Sequence, residues 1–181
     1  MMYNYKMKKK VLITGVSGTG KTTVARHFKE LGFDSADIED DVAGMFKMVH
    51  KGTQKIFVGY DNANPEHIKS ADWICNVEKL KTYLASQKSE LAFYSGIASN
   101  MDDILPLFDK IIVLQPNAKI LNERLKNREG TDDIGNNQAG RDTVLGWKDW
   151  WEDKMQKKGA TLIDANGSPD EICKEIIRKI L

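Results

Sequence analysis

The chain reads as an α/β protein, a three-layer α/β/α sandwich around a parallel sheet of about five strands, and three observations predict this. Short apolar runs of strand length, Val11–Gly15, Leu91–Ser95 and Ile111–Leu114, alternate with segments of helical spacing. Alternation of this kind implies parallel pairing through right-handed crossovers. A glycine-rich stretch, GVSGTGKTT at 15 to 23, stands where the first strand gives way to the first helix. The length of 181 residues suits one globular domain, 1–181, and is short for two full-sized units and a linker.

Taken in order, Val11–Gly15 is a buried strand closed by glycine. From Lys21 the spacing turns helical, with Val24, Phe28 and Leu31 on one face and Gly32 as the stop. Phe33–Ile38 follows as a second strand, and Val42, Met45, Phe46 and Val49 are spaced for a helix. Gly52–Pro65 is polar and irregular, whereas Trp73, Val77, Leu80 and Leu84 line one side of another helix. Leu91–Ser95 is a strand ending at Gly96, and Ile111–Leu114 is the most apolar strand. Pro116 and Asn117 open a helix carrying Ile120, Leu121 and Leu125. Residues 129–142, EGTDDIGNNQAGRD, hold three glycines and almost nothing apolar, which predicts a mobile lid loop. Val144, Trp147, Trp151 and Met155 then give a helix, Thr161–Asp164 a last strand, and Ser168-Pro-Asp-Glu171 the capped start of a C-terminal helix.

Composition narrows the possible partners. With 27 basic and 26 acidic residues the net charge is +1, so no general electrostatic case exists for nucleic acid or an anionic membrane. Cys75 and Cys173 lie far apart and lack metal-ligand spacing; buried free thiols are expected. The run VLITGV after the basic start is too short for a signal-peptide core, and no stretch reaches the length of a membrane span. The expectation is a cytoplasmic protein acting on a small molecule, with neither nucleic acid nor membrane as partner.

Gly15, Gly20, Lys21 and Thr22 match G-x-x-x-x-G-K-[ST], in the strand-to-helix context that a phosphate loop requires. Glycines at Gly15, Gly18 and Gly20 let the backbone of Ser17, Thr19, Gly20, Lys21, Thr22 and Thr23 curl around phosphate oxygens, and the helix that follows adds the positive end of its dipole. Lys21 is placed for the β- and γ-phosphates and Thr22 for Mg2+, which makes ATP and Mg2+ the expected cofactors. No guanine-reading N-K-x-D occurs, and no strand ends in the Asp-Glu pair of a motor ATPase. Transfer of the phosphate fits better. Of five arginines, Arg124, Arg128 and Arg141 fall within eighteen residues. Arg124 and Arg128 share a helix face, and Arg141 ends the predicted lid. Positive charge under a closing lid is what phosphoryl transfer needs, because water must be kept from the acceptor's place.

These motifs resemble the nucleoside monophosphate kinase and shikimate kinase group of P-loop kinases, with the P-loop NTPase fold. The likeness runs along the whole chain: GVSGTGKTT, then FDKIIVL before a helix with ERLKNR, a lid, and GATLIDA before the final helix. The resemblance implies that Arg124 stacks on an adenine whose other face meets the loop ending at Pro169, that Arg128 contacts phosphates or braces the lid, and that Arg141 is the lid arginine. It also implies an acidic residue after the second strand, beside the metal and the acceptor hydroxyl.

That segment here is ADIEDD. Asp37 and Glu39 are same-face neighbours that can hold a metal-bound water and accept the acceptor's proton, with either as the base. Acids suited to a helix N-terminus are the alternative. The chain departs from the group at one point: between Arg26 and Arg124 there is no arginine, only lysines such as Lys47, Lys51, Lys55 and Lys69. Lysine lacks the planar fork that grips a phosphate or carboxylate. The expected acceptor is therefore a nucleoside, a sugar or polyol, or a cationic compound. Ser95, Gly96 and Asn100 are expected to contact it from the carboxyl end of a central strand, and Tyr60, Asp61 and Trp73 are further candidates for the pocket wall. For Trp73 core packing is the competing role, and His50 and His67 read as surface or capping residues. The alternatives are a monophosphate kinase that uses lysines and a non-catalytic ATP-binding regulator.

Overall fold

In the computed structural model, which describes residues 8–128, 134–135 and 137–181, five strands form one parallel sheet. Strand β1 (Lys9–Thr14) leads through the glycine loop to helix α1 (Lys21–Glu30) and edge strand β2 (Asp34–Asp37). An insertion follows: β3 (Phe46–His50), the short α2 (Pro65–Ser70) and β4 (Ala71–Cys75). Helix α3 (Val77–Ala85), β5 (Leu91–Ser95), α4 (Met101–Ile104), β6 (Lys110–Gln115), α5 (Ala118–Lys126), α6 (Gln138–Lys157), β7 (Thr161–Asp164) and α7 (Pro169–Ile180) complete the order. The sheet runs β2-β5-β1-β6-β7, so β1 is central and its carboxyl end opens between β5 and β6. Among the described residues no helix is long and apolar enough to cross a membrane.

Alternation along the central strands builds the layers. Val11 and Ile13 of β1 and Phe93 of β5 face α1 and α7, where they pack with Val24, Phe28, Ile172 and Ile176. Leu12, Ala92 and Tyr94 point the other way, into a core with Leu80, Leu84, Leu121, Leu125 and Met155. Phe28 stacks on Phe93 at 3.7 Å between ring centroids, and Phe33 meets both rings edge-on. Ser168 and Glu171 close the expected capping box at the start of α7.

The structure differs from the sequence expectation in the insertion. Residues 46–50 are not helical but pair antiparallel with 71–75, Met48 opposite Trp73, in a two-stranded ribbon apart from the main sheet. Gly44 takes φ of +65°, which ends any helix before the spacing of Val42, Met45, Phe46 and Val49 can act. Trp73 belongs to β4, and the helix meant to carry it begins only at Val77, where the Asn76 side chain caps the Lys79 N–H. The ribbon is pinned to the loop after β5. Asn100 accepts from Cys75 N–H at 2.9 Å and donates to Cys75 C=O at 3.1 Å. Ser99 N–H donates to Trp73 C=O at 2.7 Å while Ser99 Oγ accepts from Trp73 N–H. A second difference concerns Leu31, which lies beyond α1 and is half exposed rather than on the buried face.

Phe93→Ala is expected to cost about 3–5 kcal/mol, read as a lower urea midpoint at unchanged slope, because it empties the face between α1 and the sheet. Both cysteines are buried. Burial pushes the Cys75 thiol up to about 11, with Glu39 adding to the effect, and burial with Asp170 pushes Cys173 to about 12. The folded state thus favours neutral thiols, a contribution fully present below the ordinary thiol value of 9.0 and lost as pH rises through 11 and beyond. Alkylation by iodoacetamide at pH 8 should accordingly be slow for both thiols in native protein and fast in urea.

Candidate functional site

The glycine loop owes its shape to contacts that leave no room for side chains. A Cβ on Gly15 would stand 2.6 Å from Thr19 Oγ1 and 3.2 Å from Leu114 C=O, and one on Gly18 would stand 2.7 Å from Leu125 of α5. Gly18 and Gly20 adopt φ of +83° and +98°. With Gly20 in the N-cap position, the loop runs directly into α1, so the start of that helix faces the cleft. Thr19 Oγ1 donates to Val16 C=O at 3.0 Å and steadies the turn.

Four chain segments converge on this loop. Lys21 Nζ lies 3.3 Å from Val16 C=O. Thr22 Oγ1 donates to Asp37 Oδ2 at 2.6 Å, tying α1 to the end of β2, and Asp37 Oδ1 accepts from Glu39 N–H. Arg124 spans two loops, donating to Thr19 C=O at 3.1 Å and to Ala165 C=O at 2.9 Å; burial pushes its guanidinium down. Arg128 donates to Ser17 Oγ at 2.8 Å. Together with Gly167 and Pro169, these residues border one cleft of about 1190 Å³.

Glu39 borders the same cleft. Its Oε1 accepts from Ile97 N–H at 2.9 Å and its Oε2 from Trp73 Nε1–H at 2.9 Å. Burial raises its pKa and Asp37 adds to this, against the pull of Lys21 and the two hydrogen bonds. The carboxylate therefore joins the phosphate-loop half to the ribbon half. The lining also includes Met48, Tyr60, Asn62 and Trp73 of the insertion and Trp147, Trp150 and Lys154 of α6.

The structure thus gathers Ser17, Gly18, Thr19, Gly20, Lys21, Thr22, Thr23, Asp37, Glu39, Arg124, Arg128 and Pro169 around one cleft. Gly15 lies just beneath, as a packing requirement of the turn. Other expected residues are placed differently. Ser95 and Gly96 are buried outside the lining, and Asn100 is occupied in holding Cys75; their neighbours Ile97, Ala98 and Ser99 face the cleft instead. Asp61 also falls outside the lining, with its carboxylate on Ala63 N–H and its own N–H on His67 Nδ1. Of the expected lid, residues 129–133 and 136 lie outside the described residues, and 138–142 form the first turn of α6. The Asn137 side chain caps that turn at Gly140 N–H. Arg141 is consequently helical, bonded to Gly135 C=O and Gln138 Oε1, and does not border the cleft.

Three tryptophans of the cleft escaped the sequence reading as site residues. Trp147, Trp150 and Trp151 crowd five positions of a helix, yet that spacing alone does not separate a core stripe from a cleft wall. As for metals, the described residues contain no group of three or more His, Cys, Asp or Glu side chains able to hold one. The hydroxyl of Thr22 and carboxylate of Asp37 are the pair that suits Mg2+, a cation commonly held by one or two protein oxygens with phosphate and water.

Comparison with known proteins agrees with this geometry. No curated protein matches the chain in sequence. Solved structures of the same fold include a deoxyadenosine kinase from M. mycoides with bound dATP, at 14% identity, 94% and 98% coverage of this chain and that one, and a TM-score of 0.54. A gluconokinase from Sinorhizobium meliloti 1021 shows 17% identity, 95% and 91% coverage and a TM-score of 0.54. A sugar kinase from Janibacter sp. HTCC2649 shows 17% identity, 94% and 93% coverage and a TM-score of 0.51. The expected α/β P-loop NTPase fold is thereby borne out. A family profile described as an AAA domain (AAA_18) matches residues 11–143, and with its glycine loop, central β1 and parallel sheet the chain belongs to that P-loop family.

Proposed function

We propose that the protein is an ATP-dependent phosphotransferase that moves the γ-phosphate of Mg-ATP to the hydroxyl of a small molecule. One observation carries the reading: the glycine loop, Lys21, Arg124 and Arg128 border the same cleft as the carboxylates Asp37 and Glu39, and that cleft, of about 1190 Å³, is also lined by the ribbon and α6. A protein that only held a nucleotide would not need a cleft of that size. The structures that share this fold include kinases of different small molecules, which supports the same reading.

In this reading the loop's N–H groups and Lys21 hold the triphosphate, and Arg124 with the 165–169 loop holds the nucleoside end. Arg128, beside Ser17, balances charge on the transferred group. Thr22 and Asp37 hold Mg2+, which supplies charge neutralisation between the phosphates when bound. Glu39, fixed by Trp73 and Ile97, orients the acceptor hydroxyl and receives its proton. Arg141 serves the lid, reaching the phosphates only if the first turn of α6 moves.

Three variants test this. Lys21→Ala should weaken Mg-ATP binding about tenfold or more in isothermal titration, since a charge-assisted contact to phosphate is lost; an unchanged affinity overturns the phosphate-loop assignment. Glu39→Gln should leave ATP affinity within about twofold while lowering kcat roughly 10²–10⁴-fold; undiminished turnover removes Glu39 from the proton path. Asp37→Asn separates the two carboxylates, because its loss should appear chiefly as a raised Mg2+ requirement in the same assay.

A further inference from the structure

The cleft is larger than one ligand requires, at about 1190 Å³ against the roughly 300–1,000 Å³ of a typical small-molecule site. Its lining is partly aromatic. Trp73 and Tyr60 border it on the insertion, Trp147 and Trp150 on α6. Trp147 and Trp150 are 42% and 61% exposed, although a tryptophan buries more apolar surface than almost any other side chain. Two exposed indoles that border one cleft are grouped rather than scattered over the surface.

Several polar groups of this lining already hold one partner within the protein. Ser99 Oγ accepts from Trp73 N–H, Tyr60 Oη donates to Asn62 Oδ1, and Lys51 Nζ donates to Lys69 C=O. Both oxygens of Glu39 accept N–H bonds. The flat indole faces offer a planar ring a stacking surface, whereas they offer a polyhydroxylated acceptor no hydrogen bonds. An anionic acceptor is served no better. No arginine occurs between Arg26 and Arg124, Lys154 is held over the Trp150 ring at 5.5 Å, and Asp40 and Asp72 add carboxylates to the lining.

We infer that the acceptor is an alcohol whose body is a flat aromatic or heteroaromatic ring without phosphate or carboxylate. Its ring lies between the ribbon and α6 against the indoles, and its hydroxyl reaches Glu39. This rests on the phosphotransferase reading and narrows it, setting aside the sugar and polyol acceptors that the sequence leaves open.

The test uses the full chain with Mg-ATP and four kinds of probe: adenosine and thymidine; benzyl alcohol and 3-pyridylmethanol; glucose and sorbitol; and AMP. Thermal shift and tryptophan quenching report binding, and ADP release reports transfer. At least one of the two aromatic sets should bind and turn over, and which set does so distinguishes a nucleoside from a simple ring alcohol. Trp147→Ala and Trp150→Ala, both at exposed positions, should each raise the acceptor KM about tenfold or more while the KM for ATP stays put. Turnover confined to glucose, sorbitol or AMP overturns the inference. So does an acceptor KM that neither tryptophan variant moves, or a protein that binds Mg-ATP and no aromatic probe. Wild-type protein that fails to bind Mg-ATP overturns the phosphotransferase reading, and this inference with it.

Discussion

The close approach of the glycine loop to α5 is the constraint on which the rest of the site depends. At Gly18 even a Cβ would collide with Leu125, so the loop settles against the helix at backbone distance. Only at that distance can Arg124 reach Thr19 C=O and Arg128 reach Ser17 Oγ from the same helix and its end. The two arginines are positioned by packing first, and their charges then fall beside the glycine loop. Gly15 plays the matching part at the other end of the loop, where Thr19 and Leu114 press on it. Parallel strands make this possible, since the carboxyl ends of β1, β2, β5 and β6 lie together at one edge of the sheet.

Glu39 carries the coupling between halves. A half-buried carboxylate is tolerated because two N–H groups from separate segments bond to it and Lys21 offsets part of its charge. Those same bonds fix the ribbon relative to the sheet, with Ser99 and Asn100 completing the clamp. The ribbon and the glycine-loop side of the cleft therefore share a single structural joint. Movement of the ribbon would be felt at the phosphate loop through Glu39, its backbone N–H, and Asp37.

Legibility in the sequence followed locality. The strand of β1, the glycine loop, the start of α1 and the capping box at Ser168 are contiguous motifs whose dihedral preferences and spacings are set within a few residues, and each was readable. The arginine pair was readable from its spacing, but only Arg124 is helical: α5 ends at Lys126, and Arg128 lies just beyond it. The ribbon was not. Val42, Met45, Phe46 and Val49 satisfy helical spacing, and the partner that makes residues 46–50 a strand lies 25 positions or so away, at Ala71–Cys75. Arg141 was misplaced as a loop residue because three glycines outweighed a cap at Asn137 that was equally present in the sequence.

By itself, the sequence determined that a phosphate-loop motif follows an early strand, that arginines gather on and just after a later helix, and that no arginine stands between Arg26 and Arg124. Backbone conformation and short-range spacing suffice for those conclusions. Only the tertiary structure decided that Glu39 is held between Trp73 and Ile97, that Asn100 is a clamp, and that Trp147 and Trp150 are turned to the cleft. These depend on pairs separated by 25 to 58 residues and on which face of a helix is covered. Such facts follow from how whole elements pack, a balance of burial and hydrogen bonding to which no short window of sequence has access.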